Sequence, residues 1–184
     1  MQKNLLRIFI IIAVIGAVTW FMAETMVSEA SRSGGGLSVS TDLNEQQPDL
    51  ALKNLKGEDV RLLKAHPGKT LLVNYWATWC PPCITEIPSL LALKAQRGSE
   101  TFDVVFISLD FPENNEAMTK LLDRYKLSNL DTLYMTDAKQ WSDLSGRGLP
   151  ITVLVNPEGQ IMSRMVGGID WSGPLADDFL KNVK

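Results

Sequence analysis

Two cysteines three residues apart are the residues whose type and spacing most directly suggest chemistry. Cys80 and Cys83, separated by Pro81 and Pro82, lie where a predicted buried strand ends and a predicted helix begins. The first N–H groups of a helix lack intrahelical partners and carry positive potential, so they stabilise a thiolate placed there. A spacing of i,i+3 across the first turn brings two sulfurs within bonding distance. We therefore expect Cys80 to be an attacking thiolate and Cys83 to be the thiol that resolves a mixed disulfide.

The two prolines between the cysteines bear on the direction of electron transfer. Pro81 and Pro82 remove two N–H donors that would otherwise support a thiolate. Weaker stabilisation of the reduced form favours a reducing couple over a strongly oxidising one.

Other roles for the cysteine pair are a structural disulfide and a metal site. A bridge across two intervening residues removes little entropy from the unfolded chain, so it would contribute little as a staple. The sole histidine, His66, lies in a polar turn over residues 64–68 and is expected to be solvated. The alternative to an enzyme is a carrier module. It would use the cysteine pair either to bind copper, with methionine as a further ligand, or to bind an apoprotein.

The elements that must position the cysteines follow from hydrophobic patterning. Continuous apolar runs predict buried strands, and apolar residues at helical spacing predict helices. The predicted order is a hairpin over 50–55 and 60–63, a strand over 70–76, a helix over 81–95, a strand over 102–109, a helix over 114–125, a strand over 132–135, a helix over 138–144, a hairpin over 151–155 and 160–166, and a last helix capped by Ser172. This order predicts an α/β fold with a mixed central sheet and helices on both faces.

Glu86 follows Cys83 by one helical turn on an otherwise apolar face. A carboxyl group placed there would be partly desolvated, which would raise its pKa and let it exchange a proton with Cys83. The other interpretation is an acidic residue that simply complements the helix dipole. Among the nearby aromatic residues, Trp76 is expected in the packing and Trp79 at the rim, where it would contact substrate.

The amino-terminal segment has the pattern of an export signal. Lys3 and Arg7 precede an apolar run over residues 8–23, which would span about 24 Å as a helix. Residues 1–30 are therefore predicted to be a cytoplasmic stub with a signal anchor, or a signal peptide, that leaves the rest of the chain outside the cytoplasm. Residues 31–46, which include a Ser/Gly-rich stretch, are predicted to be a flexible linker, and residues 47–184 a folded domain.

Composition narrows the functional classes. The 184 residues carry a net charge of −3, which offers no broad basic surface, so we expect no nucleic-acid partner. Two cysteines are too few for a multi-bridge scaffold, and no cofactor is expected.

The cysteine motif and its flanks resemble a known family. Residues 74–83 (NYWATWCPPC), Glu86 with the two residues after it, residues 148–152 (GLPIT) and residues 156–161 (NPEGQI) are similar to segments of the TlpA/ResA/CcmG-type membrane-anchored thioredoxin-like oxidoreductases. The resemblance runs from about Pro48 to Lys184. Tyr75 stands where Phe is usual in this family, and Leu149 stands where Val, Ile or Thr is commoner.

The resemblance implies a thioredoxin fold with an amino-terminal β-hairpin and an inserted strand–helix unit over 132–144. It also implies that Pro150 is a cis-proline facing the disulfide, that Leu149 offers its backbone to an extended substrate, and that Glu86 is the proton-exchanging carboxyl. The function implied is reduction of client-protein disulfides by a dithiol on the periplasmic or extracytoplasmic side of the cytoplasmic membrane. Expected partners are a client protein, in cytochrome c or metalloprotein maturation, and a membrane electron donor.

Overall fold

Strand β4 (Thr70–Trp76) lies at the centre of the sheet and leads directly to the cysteines. The computed structural model describes residues 37–47, 50–110, 115–136 and 148–181. From Leu71 to Trp76 every residue of β4 is buried, because neighbouring strands pair with both of its edges and packed layers cover both of its faces. Such a strand favours apolar residues on both faces, and in TLLVNYW the one buried exception is Asn74.

The sheet has eight strands in the order β1-β8-β7-β4-β5-β6-β2-β3. Parallel pairing joins β4 to β5 and β5 to β6, whereas the other pairs are antiparallel, so the sheet is mixed as predicted. The remaining strands are β1 (Ser38–Gln46), β2 (Ala51–Lys53), β3 (Asp59–Arg61), β5 (Phe102–Ser108), β6 (Thr132–Met135), β7 (Ile151–Val155) and β8 (Gln160–Val166).

Four helices accompany the sheet in the described ranges: α1 (Leu62–Ala65), α2 (Pro81–Arg97), α3 (Asn115–Arg124) and α4 (Pro174–Phe179). Alternation along β4 divides the core in two. Leu72 and Trp76 pack in a cluster that includes side chains of α2, α3 and α4. Leu71, Val73 and Tyr75 belong to a second cluster, to which α1 contributes Leu62. Helices therefore contribute to both clusters, with the longest one, α2, on the face that carries the cysteines.

Most predicted elements are present within a residue or two of their expected bounds. The strands predicted over 70–76, 132–135, 151–155 and 160–166 have those bounds, and α2 continues through Pro88 to Arg97. In the amino-terminal hairpin the second strand is shorter than predicted, because residues 62–65 turn into α1. The helix predicted over 138–144 lies outside the described residues.

The prediction of a flexible linker over residues 31–46 is partly wrong, because residues 38–46 form the edge strand β1. This strand pairs antiparallel with β8 through a bulge between Thr41 and Glu45, where Asp42 and Asn44 have positive φ. Seven of its nine residues are exposed and none is buried, so apolar alternation could not reveal it. Its pairing uses the backbone, for which Ser, Asp and Asn serve adequately.

The cap of the last helix also differs from the prediction. Gly173 is the N-cap of α4, with Pro174 as its first residue. Ser172 instead donates from its N–H and its hydroxyl to Oδ1 of Asp170, at 2.9 and 2.6 Å. Local bonding between Asp170 and Ser172 therefore forms a turn before the helix begins.

No helix within the described ranges is long and apolar enough to cross a membrane. The predicted anchor over residues 1–30 lies outside those ranges.

Two leucines on helices allow the packing to be tested. Leu90 in α2 is 0% exposed and Leu175 in α4 is 53% exposed. We expect Leu90→Ala to lower the free energy of unfolding by about 2–5 kcal/mol, because it leaves a cavity against the sheet. Leu175→Ala, the matched control, should change it by less than about 0.5 kcal/mol. Urea denaturation of the two variants measures both values, and equal losses would contradict this packing.

Candidate active site

The two cysteines form a disulfide at the amino terminus of α2, as the pattern predicted. Cys80 is the N-cap residue and Cys83 lies in the first turn, with Cα atoms 5.4 Å apart. The backbone before the helix makes a tight turn, in which the N–H of Cys80 donates to the carbonyl of Ala77 at 3.1 Å. Strand β4 ends one residue before this turn, so the sheet fixes where the helix starts.

Few backbone donors face the sulfurs. Pro81 and Pro82 occupy the first two helical positions and carry no N–H. The N–H of Ile84 already donates to the carbonyl of Cys80, at 3.2 Å. In the first turn this leaves only the N–H of Cys83 to face the sulfurs. A Cys80 thiolate would therefore receive little support from the helix terminus.

The two sulfur-bearing residues differ in access. Cys80 is 5% exposed and Cys83 is 0% exposed. Trp79, immediately before Cys80, is 66% exposed and presents a large apolar surface beside the disulfide. An incoming sulfur would therefore approach from the Cys80 side, next to Trp79.

Glu86 is buried one turn after Cys83 and accepts hydrogen bonds from two other elements. Asn74 in β4 donates from Nδ2 to Oε1 at 2.7 Å. Trp171 donates from Nε1 to Oε2 at 3.2 Å, and the N–H of Ile169 donates to the same oxygen at 3.3 Å. The carboxyl group thus connects α2 to the central strand and to the segment between β8 and α4.

Burial raises the pKa of Glu86 from an ordinary value of 4.5 to about 7. Desolvation of the charged form is the largest cause, and the bonds from Asn74, Trp171 and Ile169 oppose it by favouring the carboxylate. A carboxyl group with this pKa exchanges protons readily near neutral pH.

The segments containing Pro150 and Gly168 meet beside the helix start. The Leu149–Pro150 peptide bond is cis, as the resemblance implies, and the Pro150 carbonyl accepts from the N–H of Gly167 at 2.9 Å. A Cβ added at Gly168 would lie 3.3 Å from the carbonyl oxygen of Pro82 and 3.6 Å from both Glu86 Oε2 and Pro150 Cγ. These three residues therefore surround one point, where only glycine fits without crowding.

A groove of about 590 Å³ runs along this side of α2. Its lining includes Pro82, Thr85 and Glu86 from the helix and Gly168 and Asp170 from the facing segment. Glu86 therefore borders this groove, on the side of the helix that carries Pro82.

A second buried carboxylate holds the turn before the cysteines. Asp110, 4% exposed, accepts from the N–H and hydroxyl of Thr78 at 2.8 and 2.7 Å. The hydroxyl of Ser108 also donates to it, at 2.7 Å. Asp110 follows β5, whose parallel pairing with β4 brings the ends of the two strands together.

Sequence reasoning assigned no role to Asn74, Trp171, Thr152 or Asp110. Only Asn74 gave a signal in the sequence, because a polar amide in the middle of a strand that is otherwise suited to complete burial needs a hydrogen-bond partner. The other three lie more than 20 residues from the motif, and only the fold brings them near it.

His66 is less solvated than predicted. Its side chain is 20% exposed, and Nδ1 lies 3.3 Å from Oδ2 of Asp103. No group of three or more His, Cys, Asp and Glu side chains that could hold a metal ion occurs in the parts of the chain described above.

Comparison with known proteins identifies the family. The Redoxin family model matches residues 42–177. The chain belongs to the Redoxin family. Thiol:disulfide interchange protein DsbE of Pseudomonas aeruginosa is 33% identical over 133 residues, which cover 70% of this chain and 71% of that protein. Thiol-disulfide oxidoreductase ResA of Halalkalibacterium halodurans is 28% identical over 141 residues, 76% of each chain.

Solved structures agree with this assignment. The thioredoxin domain of a thiol-disulfide oxidoreductase from Bacteroides vulgatus has a TM-score of 0.61 and 26% identity, covering 80% of this chain and all of that one. A thiol-disulfide oxidoreductase from Bacteroides fragilis has the same TM-score and identity, covering 76% of this chain and all of that one. The Redoxin-family chain therefore has a thioredoxin fold and is a thiol-disulfide oxidoreductase of the ResA/DsbE type.

The burial of Glu86 predicts how stability depends on pH. Between pH 4.5 and about 7 the unfolded carboxyl group loses its proton while the folded one keeps it, so stability falls as pH rises through this range. A difference of about 2.5 pH units corresponds to roughly 3 kcal/mol. At pH 8 the wild type should have lost roughly this much free energy of unfolding relative to pH 4, whereas Glu86→Gln has no carboxyl group to titrate and should not show this loss. Urea denaturation of the two oxidised proteins at both pH values measures the difference.

Glu158, exposed in the turn between β7 and β8, provides a matched control. Glu158→Gln should retain the pH dependence of the wild type. If Glu86→Gln retained it as well, Glu86 would not be the carboxyl group that burial perturbs.

Proposed function

We propose that this oxidoreductase reduces disulfides of client proteins outside the cytoplasm, with Cys80 as nucleophile and Cys83 as resolving thiol. The observation that carries the proposal is the asymmetry of the pair. Cys80 lies beside the exposed Trp79, whereas Cys83 is fully buried one helical turn before Glu86. A substrate sulfur can therefore meet the first cysteine, and a proton acceptor lies near the second.

The exchange consists of two sulfur transfers. The Cys80 thiolate attacks one sulfur of the client disulfide, forming a mixed disulfide and releasing a client thiolate that takes up a proton. Cys83 then loses its proton, and its thiolate attacks the Cys80 sulfur. This step closes the Cys80–Cys83 disulfide and releases the second client thiolate. Two electrons pass from the cysteine pair to the client.

Glu86 is proposed to accept the proton of Cys83 during the second transfer. Its oxygens lie in a buried network, and its pKa of about 7 lets it take and return a proton at neutral pH. When a donor reduces the pair again, Glu86 returns the proton to Cys83.

Trp79, Leu149 and Pro150 are proposed to contact the client. Trp79 supplies exposed apolar surface beside Cys80, and Pro150 lies across Gly168 from the start of α2. An extended client segment would lie against the backbone of Leu149 and present its sulfur to Cys80.

The proposed direction, reduction of the client, follows from the start of α2. Because Pro81 and Pro82 leave little N–H support for a Cys80 thiolate, the reduced form is weakly stabilised and gives up its electrons readily.

The proposed setting is the outer face of the cytoplasmic membrane. Lys3 and Arg7 ahead of the apolar run over 8–23 support an amino-terminal anchor with the folded domain outside. In an oxidising compartment the pair needs a membrane thiol reductase as its electron donor. Proposed clients are apocytochrome c and metalloproteins whose cysteines must be reduced before the cofactor binds.

Removal of the resolving thiol tests these roles. In Cys83→Ala the second transfer has no thiol, so Cys80 should stay linked to its client. We expect adducts sensitive to reductant on non-reducing gels of whole cells, at several times the wild-type level. Cys80→Ser with Cys83 intact is the matched control and should form none.

Two results would contradict the proposal. Equal adducts from both variants would remove the assignment of Cys80 as nucleophile. A complete lack of adducts, together with one bound Cu(I) per wild-type chain and no thiol turnover, would favour the carrier alternative.

A further inference from the structure

The side-chain carboxamide of Asn74 has one buried polar atom without a hydrogen-bond partner, and the proposed function does not explain it. Asn74 is 0% exposed, and among the described residues its Oδ1 has no hydrogen-bond partner. An isolated buried acceptor is costly, and such atoms call for an explanation. The other end of the same group, Nδ2, makes two bonds, to Glu86 Oε1 at 2.7 Å and to Thr152 Oγ1 at 2.9 Å.

This arrangement suits only the charged form of Glu86. Oε1 receives one N–H, from Asn74, and Oε2 receives two, from Trp171 and Ile169. A carboxylate accepts all three. A protonated carboxyl group must instead donate its O–H, and each of these three neighbours presents a hydrogen to it. Protonation therefore requires either that one neighbour offers an acceptor or that the O–H points into the groove, which Glu86 lines.

Asn74 is able to offer one by a local movement. A half-turn of the carboxamide about its Cβ–Cγ bond exchanges Nδ2 and Oδ1, which differ little in size. Oδ1 would then lie within hydrogen-bond distance of Glu86 Oε1 and Thr152 Oγ1. It has two lone pairs, one for the carboxyl O–H and one for the threonine hydroxyl, which serves as acceptor in one state and donor in the other.

We propose that Asn74 and Thr152 form an amide–hydroxyl switch that hydrogen-bonds Glu86 in both protonation states. With Glu86 charged, Nδ2 donates to both partners, and with Glu86 protonated, Oδ1 accepts from both. Asn74 is a positioning residue in this scheme. The inference rests on the proposed function, in which Glu86 gains and loses a proton in each cycle.

The switch is biased towards the charged state. In the observed orientation the atom without a partner is a carbonyl oxygen, whereas after the half-turn it would be an NH₂ group with two buried hydrogens. The second arrangement leaves more bonding capacity unused. Asn74 therefore opposes the effect of burial on Glu86 and helps to keep the carboxyl group able to titrate.

Other ionisable groups near Glu86 do not replace this role. On its own helix, Cys83 lies one turn earlier and is held in the disulfide in the oxidised protein. Across the groove, Asp170 is exposed, and bonds from Ser172 lower the pKa of its carboxyl group. Asp170 therefore stays charged while Glu86 titrates. The partners in β4 and β7, Asn74 and Thr152, carry no ionisable group.

Nuclear magnetic resonance of the full-length oxidised protein in mild detergent tests the switch without any substitution. The titration of Glu86 is followed through its carboxyl carbon, and the Asn74 orientation through nuclear Overhauser contacts of its NH₂ protons. We expect contacts to the Thr152 methyl group and the Glu86 side chain two pH units above the Glu86 midpoint. Two units below the midpoint these contacts should be lost. Contacts that persist across the titration would overturn the switch and place the acid proton on the groove side.

Two variants test the influence of Asn74 on Glu86. Asn74→Leu removes the donor at similar volume and should raise the Glu86 midpoint by about one pH unit. Thr152→Ser retains a hydroxyl and should leave the midpoint unchanged. An unchanged midpoint in folded Asn74→Leu would overturn the positioning role. Because these titrations need no client, a failure of client reduction would refute the proposed function without altering their outcome.

Discussion

The buried carboxyl group of Glu86 is the constraint to which the surrounding structure conforms. A carboxylate withdrawn from water is costly unless hydrogen bonds replace its hydration, and here three donors from β4 and the segment after β8 do so. These bonds fix α2 against the sheet and bring Gly168 close to the Pro82 carbonyl. The same burial that demands the donors also holds the pKa near 7, so one arrangement provides both the shape and the proton affinity of the site.

Much of the fold was predictable, because the residues that form it carry strong local signals. The strand ending at Trp76 is apolar except for Thr70 and Asn74, and Pro81 and Pro82 at the start of a helix occupy the positions where a missing N–H costs least. The pairing of Cys80 with Cys83 could be predicted from their spacing and from their position at the start of the helix. Glu86 was predicted to be desolvated because the rest of its helical face is apolar.

The remaining features depend on contacts distant in sequence. Trp171 and Ile169 reach Glu86 only after β7 and β8 have folded back on β4, and nothing near them in the sequence marks a bond 85 residues away. Strand β1 was missed because an exposed edge strand is held by backbone bonds and has no apolar face. The cap of α4 was assigned to Ser172, whose hydroxyl is instead used by Asp170. In each of these three cases the residue types allowed more than one local structure, and a hydrogen bond formed in the folded chain determined which one is present.

The reduction potential of the Cys80–Cys83 couple tests the central claim most directly, since a client reductase must hold its electrons weakly. It can be measured by equilibrating the full-length protein with glutathione or dithiothreitol buffers and counting the free thiols. With two prolines in the first turn and a buried carboxyl group after Cys83, we expect a value near that of thioredoxin, about −270 mV. A value at or above about −180 mV, in the range of protein disulfide isomerase and DsbA, would contradict the account and identify an oxidant.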